Sequence, residues 1–385
     1  MRYSTMIRGG MALVLLAALG TRAEAQGTGG GGLTGGSTGA GNDNTGYGTT
    51  SAEFLLLGAG ARGTALGGAF AALANDASAL YYNPGAAALV SRPGVMLSTY
   101  DYVADTRYSW GGLVLPFSSG QRAFGVQLGT FGFKDQPVYT ADQPEGTGAR
   151  YSVNETFAGA SFAQNFSDRF SAGLTAKFIF DQLGDVDGKA FAVDFGTSFH
   201  AALNNHPIRF SFTLQNLGTN VSYSGTGIQG DIPRVPLPGE PPVPNTPQPA
   251  EFQTKDFPLP TMFRIALAYD LLPRENSRLS ILGEFNQATS NKAGFTGAAE
   301  YAASHLGGSG FGFALRGSYS FAPANNITLS NPSQTALSDE ENLQGLAFGG
   351  GLNYATGNFN LGVDYAYKYM GILGPTNFFS LSLGW

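Results

Sequence analysis

The chain has 385 residues, a formal net charge of -6, 12% charged and 12% aromatic residues, 56 glycines and no cysteine. The missing cysteine excludes thiol-linked lipid anchors, disulfides and thiolate-ligated metals, and the charge content is about half the roughly 25% of a soluble domain. Mean hydropathy is -0.04, and no apolar run beyond the amino terminus reaches the about 20 residues that a spanning helix needs.

At the amino terminus, Arg2 and Arg8 precede an apolar run from Met11 to Leu19, and Ala23-Glu24-Ala25 follows. A basic start, a short apolar core and an A-x-A site predict a secretory signal peptide over residues 1–25. The run is too short to serve as an uncleaved spanning anchor. Residues 26–50 are rich in glycine and threonine and predict a flexible linker. Residues 51–90 are alanine-rich and apolar, with Asn75-Asp76 placed to cap a short helix and Asn83-Pro84 placed to end it.

From residue 91 to 385 the pattern changes to period 2. Fourteen candidate strands follow: 94–103, 107–117, 121–133, 151–165, 169–182, 189–203, 207–217, 260–271, 277–288, 291–304, 309–321, 344–355, 358–369 and 376–385. Most match the 9–11 residues of a tilted spanning strand or exceed it. Phe170, Leu174, Phe178 and Phe180 share one face, against Ser171, Gly173, Thr175 and Lys177 on the other. A soluble sandwich also alternates, so the connections decide. If the amino terminus is periplasmic, the long connections 134–150, 218–259 and 322–343 all fall on the outer side, and the even-numbered ones are short. That asymmetry belongs to barrels in the bacterial outer membrane. The expected fold is therefore all-β: a transmembrane antiparallel barrel of about 14 strands over 91–385. Residues 51–90 would form a partly helical hatch in its lumen, because a barrel this wide leaves a hole its own side chains cannot fill.

Continuing each alternation inward gives ten lumen charges: Lys177, Asp194, Arg209, Arg264, Asp270, Glu284, Glu300, Arg316, Asp364 and Lys368. Five are positive and five negative, which suggests ion pairs in a narrow or plugged lumen; a solvated set with no shared task is the alternative. Arg62 and Asp76 of the hatch would meet these charges. At the carboxyl end, Phe379, Leu381, Leu383 and Trp385 alternate and finish on an aromatic, as in the signal read by barrel assembly machinery.

Other motifs carry little. Gly58-Ala59-Gly60-Ala61-Arg62-Gly63 spells a dinucleotide-binding turn, yet no βαβ unit surrounds it. His200, His206 and His305 lack metal-ligand spacing, and Asp185 with Asp187 lacks the other ligands of a calcium loop. No nucleophile elbow, phosphate loop or zinc-protease motif is present, so neither catalysis nor a cofactor is expected, nor a nucleic-acid partner. The proline-dense stretch 231–260 predicts extended polyproline-II segments, serving either as a partner surface or as a semi-rigid spacer.

Residues 51–89 resemble the amino-terminal signature of the PorV/PorQ family of outer-membrane proteins, a group related to FadL-type hydrophobic-compound channels. The matching positions are Ala61-Arg62, Leu66-Gly67-Gly68-Ala69-Phe70, Ala74, Asp76-Ala77, Ala79 and Tyr82-Asn83-Pro84. Two departures stand out: Gly85-Ala86 inverts the usual Ala-Gly after Asn83-Pro84, and the chain ends in tryptophan where phenylalanine is usual. The resemblance implies a fourteen-strand barrel with a hatch, its motif residues being Arg62, Gly67, Gly68, Asp76, Asn83 and Pro84. It also implies a role as an interaction or shuttle component of type IX-like secretion, with a translocon and secreted cargo proteins as partners beside membrane lipid. The related FadL-type channels imply the alternative, uptake of hydrophobic small molecules. Capture by such a channel calls for apolar helices in the outer loops. The polar 134–150 and proline-rich 218–259 connections therefore favour the shuttle.

Overall fold

A chain that crosses lipid as strands must pair every backbone N–H and C=O, because hydrocarbon offers no partner, and only a closed sheet has no unpaired edge. The computed structural model, which describes residues 46, 48–233, 247–321 and 345–385, shows that closure. The signal peptide, most of the linker, and residues 234–246 and 322–344 lie outside the described residues.

Fourteen strands form the wall: β1 (Gly94–Asp101), β2 (Arg107–Phe117), β3 (Arg122–Pro137), β4 (Arg150–Ser167), β5 (Phe170–Leu183), β6 (Val186–Leu203), β7 (His206–Gly218), then β11 (Met262–Pro273), β12 (Ser277–Ala288), β13 (Gly294–Ala303), β14 (Phe311–Phe321), β15 (Leu346–Thr356), β16 (Phe359–Tyr369) and β17 (Pro375–Gly384). Three short strands, β8 (Tyr223–Ser224), β9 (Gln229–Pro233) and β10 (Pro247–Glu251), lie in the connection between β7 and β11. Each wall strand pairs antiparallel with its neighbours in chain order, β7 passes directly to β11, and β1 pairs with β17 from Gly94↔Gly384 to Thr99↔Phe379 to close the ring. All fourteen candidate strands are present, displaced by a few residues at their ends.

The period-2 pattern sorts the side chains. Leu174 is 54% exposed and Phe178 42%, whereas Thr175 and Lys177 between them are 0% and 1%. Many of the outward side chains are aromatic. Phe212, Phe263, Phe285 and Phe295 run edge-to-face across four strands at centroid distances of 5.2, 6.1 and 5.1 Å. Such girdles, with an apolar band between them, mark the two lipid–water boundaries. The protein is a bacterial outer-membrane barrel. Among the described residues no helix is long and apolar enough to cross a membrane.

Two details depart from expectation. Strands β3 and β4 run on past the expected 133 and 151, with a register shift between Phe133 and Gln136, so the connection shrinks to residues 138–149. The described ends of the proline-dense stretch pair as the β9–β10 hairpin, from Pro247↔Pro233 to Glu251↔Gln229, instead of standing free as polyproline II. A two-stranded ribbon has an open side on every strand, where the missing proline N–H costs no ladder bond.

Leu174→Arg places a charge on the lipid face. It is expected to lower the unfolding free energy in lipid bilayers by about 2–4 kcal/mol, depending on depth, as read from denaturant titration of tryptophan fluorescence.

Candidate functional site in the barrel lumen

Residues 51–90 fill the lumen and supply most of its buried apolar surface, including Phe54, Leu66, Phe70, Leu80, Tyr81 and Tyr82. Their helices are only one turn or so: α1 (Ala61–Ala65), α2 (Ala79–Tyr82) and two 3-10 turns, Glu53–Leu56 and Pro84–Leu89. Small residues let this backbone pack tightly. A Cβ on Gly63 would stand 2.4 Å from the Tyr82 ring, and Gly67 has φ +63, a region that favours glycine. The glycines of the apparent dinucleotide motif thus serve packing.

On one side the segment is held by hydrogen bonds to β3–β7. Gln127 Nε2 donates to Leu80 O (2.8 Å) while its Oε1 accepts from Trp110 Nε1 (3.1 Å), and Gln215 Nε2 donates to Tyr81 O. Asn83 Nδ2 donates to Thr197 O (3.0 Å) and to Ala71 O (3.1 Å), and its Oδ1 accepts from Gly85 N (3.0 Å). Ser171 Oγ and Asn165 Nδ2 donate to Gly85 O and Ala88 O, each at 2.9 Å. Pro84 opens the second 3-10 turn, where a missing N–H costs nothing.

The opposite side is fastened by charge. Arg62 reaches Glu300 of β13 through Nε and Nη2, both at 3.0 Å, and Asp76 and Asn75 through Nη1 at 3.0 and 2.7 Å. Glu300 also accepts from Arg316 (2.7 Å) and Arg278 (2.5 Å), and Arg316 continues to Asp364 (2.5 Å). Asp76 was expected to meet a wall charge; instead it binds Arg62 and accepts from Ser78 N (2.9 Å) just before α2. Charge-assisted bonds of this kind are stronger than neutral ones.

Other expected lumen charges pair within the wall. Lys177 Nζ lies 2.6 Å from Asp194 Oδ2 without hydrogen-bond alignment, and donates to Asn216 Oδ1 at 2.8 Å. Arg209 grips Asp270 with two parallel bonds of 3.0 and 2.6 Å. Arg264 and Glu284 are buried but form no ion pair among the described residues; Arg264 lies over the Tyr82 ring (5.9 Å), and Glu284 Oε1 accepts from Asn286 (3.3 Å). Arg264 Nε and Nη1, Glu284 Oε2, Thr213 Oγ1 and Ser318 Oγ have no hydrogen-bond partner among the described residues. Lys368 makes no ion pair among them. Gly68, φ +90, lies against Arg264 and Glu284. Arg278 and Asp181 escaped the sequence reading, though each continues an inward parity, that of Glu284 and of Lys177 respectively.

The lumen is chemically divided. Toward β17 and β1–β4, Tyr100 stacks on Phe378 (3.9 Å) and Tyr108 (5.3 Å), Tyr102 meets Phe131 (6.1 Å), and Phe54 of the hatch meets Phe131 and Phe157 (6.4 and 6.1 Å). Within this aromatic face the hydroxyls of Tyr108 and Ser98 are buried without hydrogen-bond partners among the described residues. Toward β12–β16, at the end with short turns, lies a polar vestibule of about 510 Å³ roofed by Arg62, Asn75 and Asp76. At the other end, Asp181 binds Ser51 Oγ (3.0 Å) and the Tyr223 hydroxyl, tying hatch, wall and β8 together. Burial, then the Asp181 hydrogen bond, push the Tyr223 hydroxyl pKa well up, so it stays a donor.

Phe379, Leu381 and Leu383 are exposed on β17, the strand that closes the ring, and Trp385, just past its end, donates its N–H to Pro93 O at 3.0 Å. His200 lies 3.0 Å from Ser198 Oγ, and His206 lies 2.8 Å from Asp270 O and stacks on Tyr269 (5.6 Å). No cluster of three metal-ligating side chains occurs among the described residues.

No protein-family model and no curated protein matches the chain. Among solved structures, the CymD monoaromatic hydrocarbon channel superposes with a TM-score of 0.50 at 12% identity, over 86% of this chain and 97% of that one. The Pseudomonas putida toluene transporter TodX gives 0.49 at 11% identity, over 85% and 96%. A Pseudomonas aeruginosa FadL homologue gives 0.44 at 11%, over 82% and 95%. The likeness to CymD extends over nearly the whole of both chains and establishes a shared fold.

Removing one member of a buried pair leaves a charge that neither water nor protein neutralises. Lys177→Met is expected to destabilise the barrel by about 3–5 kcal/mol. Adding Asp194→Asn, which still accepts from Asn216 N, should restore most of that loss in the same denaturant titration.

Proposed function

We propose that the barrel is a conduit for hydrophobic small molecules across the outer membrane, with residues 51–90 as its hatch. The observation that carries this reading is the aromatic face of the lumen, from Tyr102 and Phe131 through Tyr100, Tyr108 and Phe378, against which the hatch packs. A porin for polar solutes needs a hydrated lumen. Here a solute that loosens the hatch meets aromatic rings, and a few unpartnered hydroxyls can orient it, the usual composition of a site for apolar ligands. The fold shared with CymD, a monoaromatic hydrocarbon channel, supports the same reading at the level of architecture.

In this account the lumen charges fasten the hatch and select no ion. Glu300 is the hub: it receives Arg62 from the hatch and Arg278 and Arg316 from the wall. Arg62, Asp76, Asn83 and Pro84 set the hatch's position, Gly67 and Gly68 its turn, and the alternating end of β17 serves as the assembly signal. The sequence argument against a channel looked for apolar surface in the outer loops. The apolar surface lies inside the barrel instead. The type IX shuttle reading, with translocon and cargo as partners, rests on the resemblance at residues 51–89, and no observed contact favours it.

The test is uptake by cells lacking their own hydrocarbon channels. Expression of the barrel should raise entry of a labelled monoaromatic hydrocarbon several-fold and leave entry of a sugar of similar size unchanged. Glu300→Gln, by loosening Arg62, should alter hydrocarbon uptake without removing the barrel from the membrane. Equal entry of both probes, or no dependence on the barrel, would overturn the proposal.

A further inference from the structure

We infer that the hatch is threaded through the barrel from the cell-surface mouth, so that the chain reaches the lumen from outside and leaves it on the periplasmic side. The two ends of the segment are fixed by hydrogen bonds to opposite rims. At the start, Gly46 N donates to Thr289 O (2.5 Å), in the connection after β12, and Ser51 N donates to Pro258 O (3.0 Å), in the long connection before β11. Glu53 accepts from Ser290 at 3.3 Å in the same place. All these partners lie at the end that carries the long connections. At the finish, Asn165 Nδ2 holds both Ala88 O (2.9 Å) and Gly120 O (3.2 Å), and Gly120 belongs to the short β2–β3 turn. Strand β1 starts beside Trp385 at that same rim. Between the two rims, Arg62, Leu80 and Asn83 each bind the wall, at Glu300, Gln127 and Thr197.

Short turns face the periplasm and long loops the medium. Gly48, Thr49 and Glu53 are exposed and therefore belong to the cell-surface face of the molecule, beside β8 and the β9–β10 hairpin. An exported chain that crosses its own lumen in this direction must be inside the ring before β1 pairs with β17, because no gap is left in the closed sheet. The outer mouth is then lined by residues 48–53 as well as by the loops.

The chain has no cysteine, so single substitutions report position cleanly. Gly48, Gly148 and Gly357 each have open space where a side chain would stand. Intact cells expressing Gly48→Cys, Gly148→Cys (outer connection) or Gly357→Cys (short β15–β16 turn) are treated with a membrane-impermeant maleimide, then again after the outer membrane is permeabilised. Thr49→Cys repeats the first position without a glycine-favouring φ. Expected is labelling of Gly48→Cys, Thr49→Cys and Gly148→Cys in intact cells, and of Gly357→Cys only after permeabilisation. If Gly148→Cys labels in intact cells while both amino-terminal positions wait for permeabilisation, the threading inference is overturned. Labelling of Gly357→Cys but not Gly148→Cys would overturn the orientation beneath it. Neither result depends on what the barrel transports.

Discussion

Closure of the β1–β17 seam is the constraint on which everything else depends. In hydrocarbon each unpaired backbone group costs several kcal/mol, so the ring must be complete. Completing it with fourteen strands leaves a lumen too wide for wall side chains alone to fill. The chain meets both demands with one arrangement: the alternating carboxyl-terminal strand seals the wall, and the small-residue segment ahead of β1 fills the space inside. Phe379, Leu381 and Leu383 face lipid on that strand, while Ser380 between them reaches inward and accepts from Ala61 N of the hatch at 2.7 Å. Seam and filling are therefore linked by one strand.

The filling is attached unequally. Against β3–β7 it is bound by neutral side chain-to-backbone hydrogen bonds at Leu80, Tyr81, Asn83, Gly85 and Ala88. Against β12–β16 it depends on Arg62 and Glu300, while nearby Arg264, Glu284 and Ser318 keep unpartnered polar atoms. A buried polar atom without a partner costs about 1–3 kcal/mol. Among the described residues such atoms also occur on the β1–β7 side, at Ser98, Tyr108, Asp194, Ser211 and Thr213, so the two attachments differ in chemistry, neutral on one side and ionic on the other. On the proposed conduit reading, the aromatic face toward β1 is the apolar wall that a solute would follow.

Much of this was legible in the sequence. The fourteen strands were, because period 2 with polar residues inside and aromatics outside leaves one register per strand: a slip by one residue would put Lys177 in lipid. The inward parity of Lys177, Asp194, Glu300 and Arg316 follows from the same rule. Their partners did not follow. Which strands stand opposite across the lumen depends on tilt and stagger, so the convergence of Arg62, Arg278 and Arg316 on Glu300 and the isolation of Arg264 needed coordinates. The turn of Asp76 toward Arg62 was hidden because it depends on how the segment folds back on itself, which brings Arg62 to Asp76 Oδ2 while Oδ1 accepts from Ser78 N. Loop composition misled about function because it described the mouth, while the apolar surface sits in the lumen.

The central claim, that apolar solutes travel along the aromatic side of the hatch, is tested most directly by locating one there. Crystals of the barrel grown with a brominated monoaromatic hydrocarbon would show where bromine scatters anomalously. Bromine beside Tyr100, Tyr102, Phe131 or Phe378 is the predicted result. Bromine confined to the lipid-facing wall or to the polar vestibule under Arg62, with the aromatic face empty at saturating ligand, would contradict it.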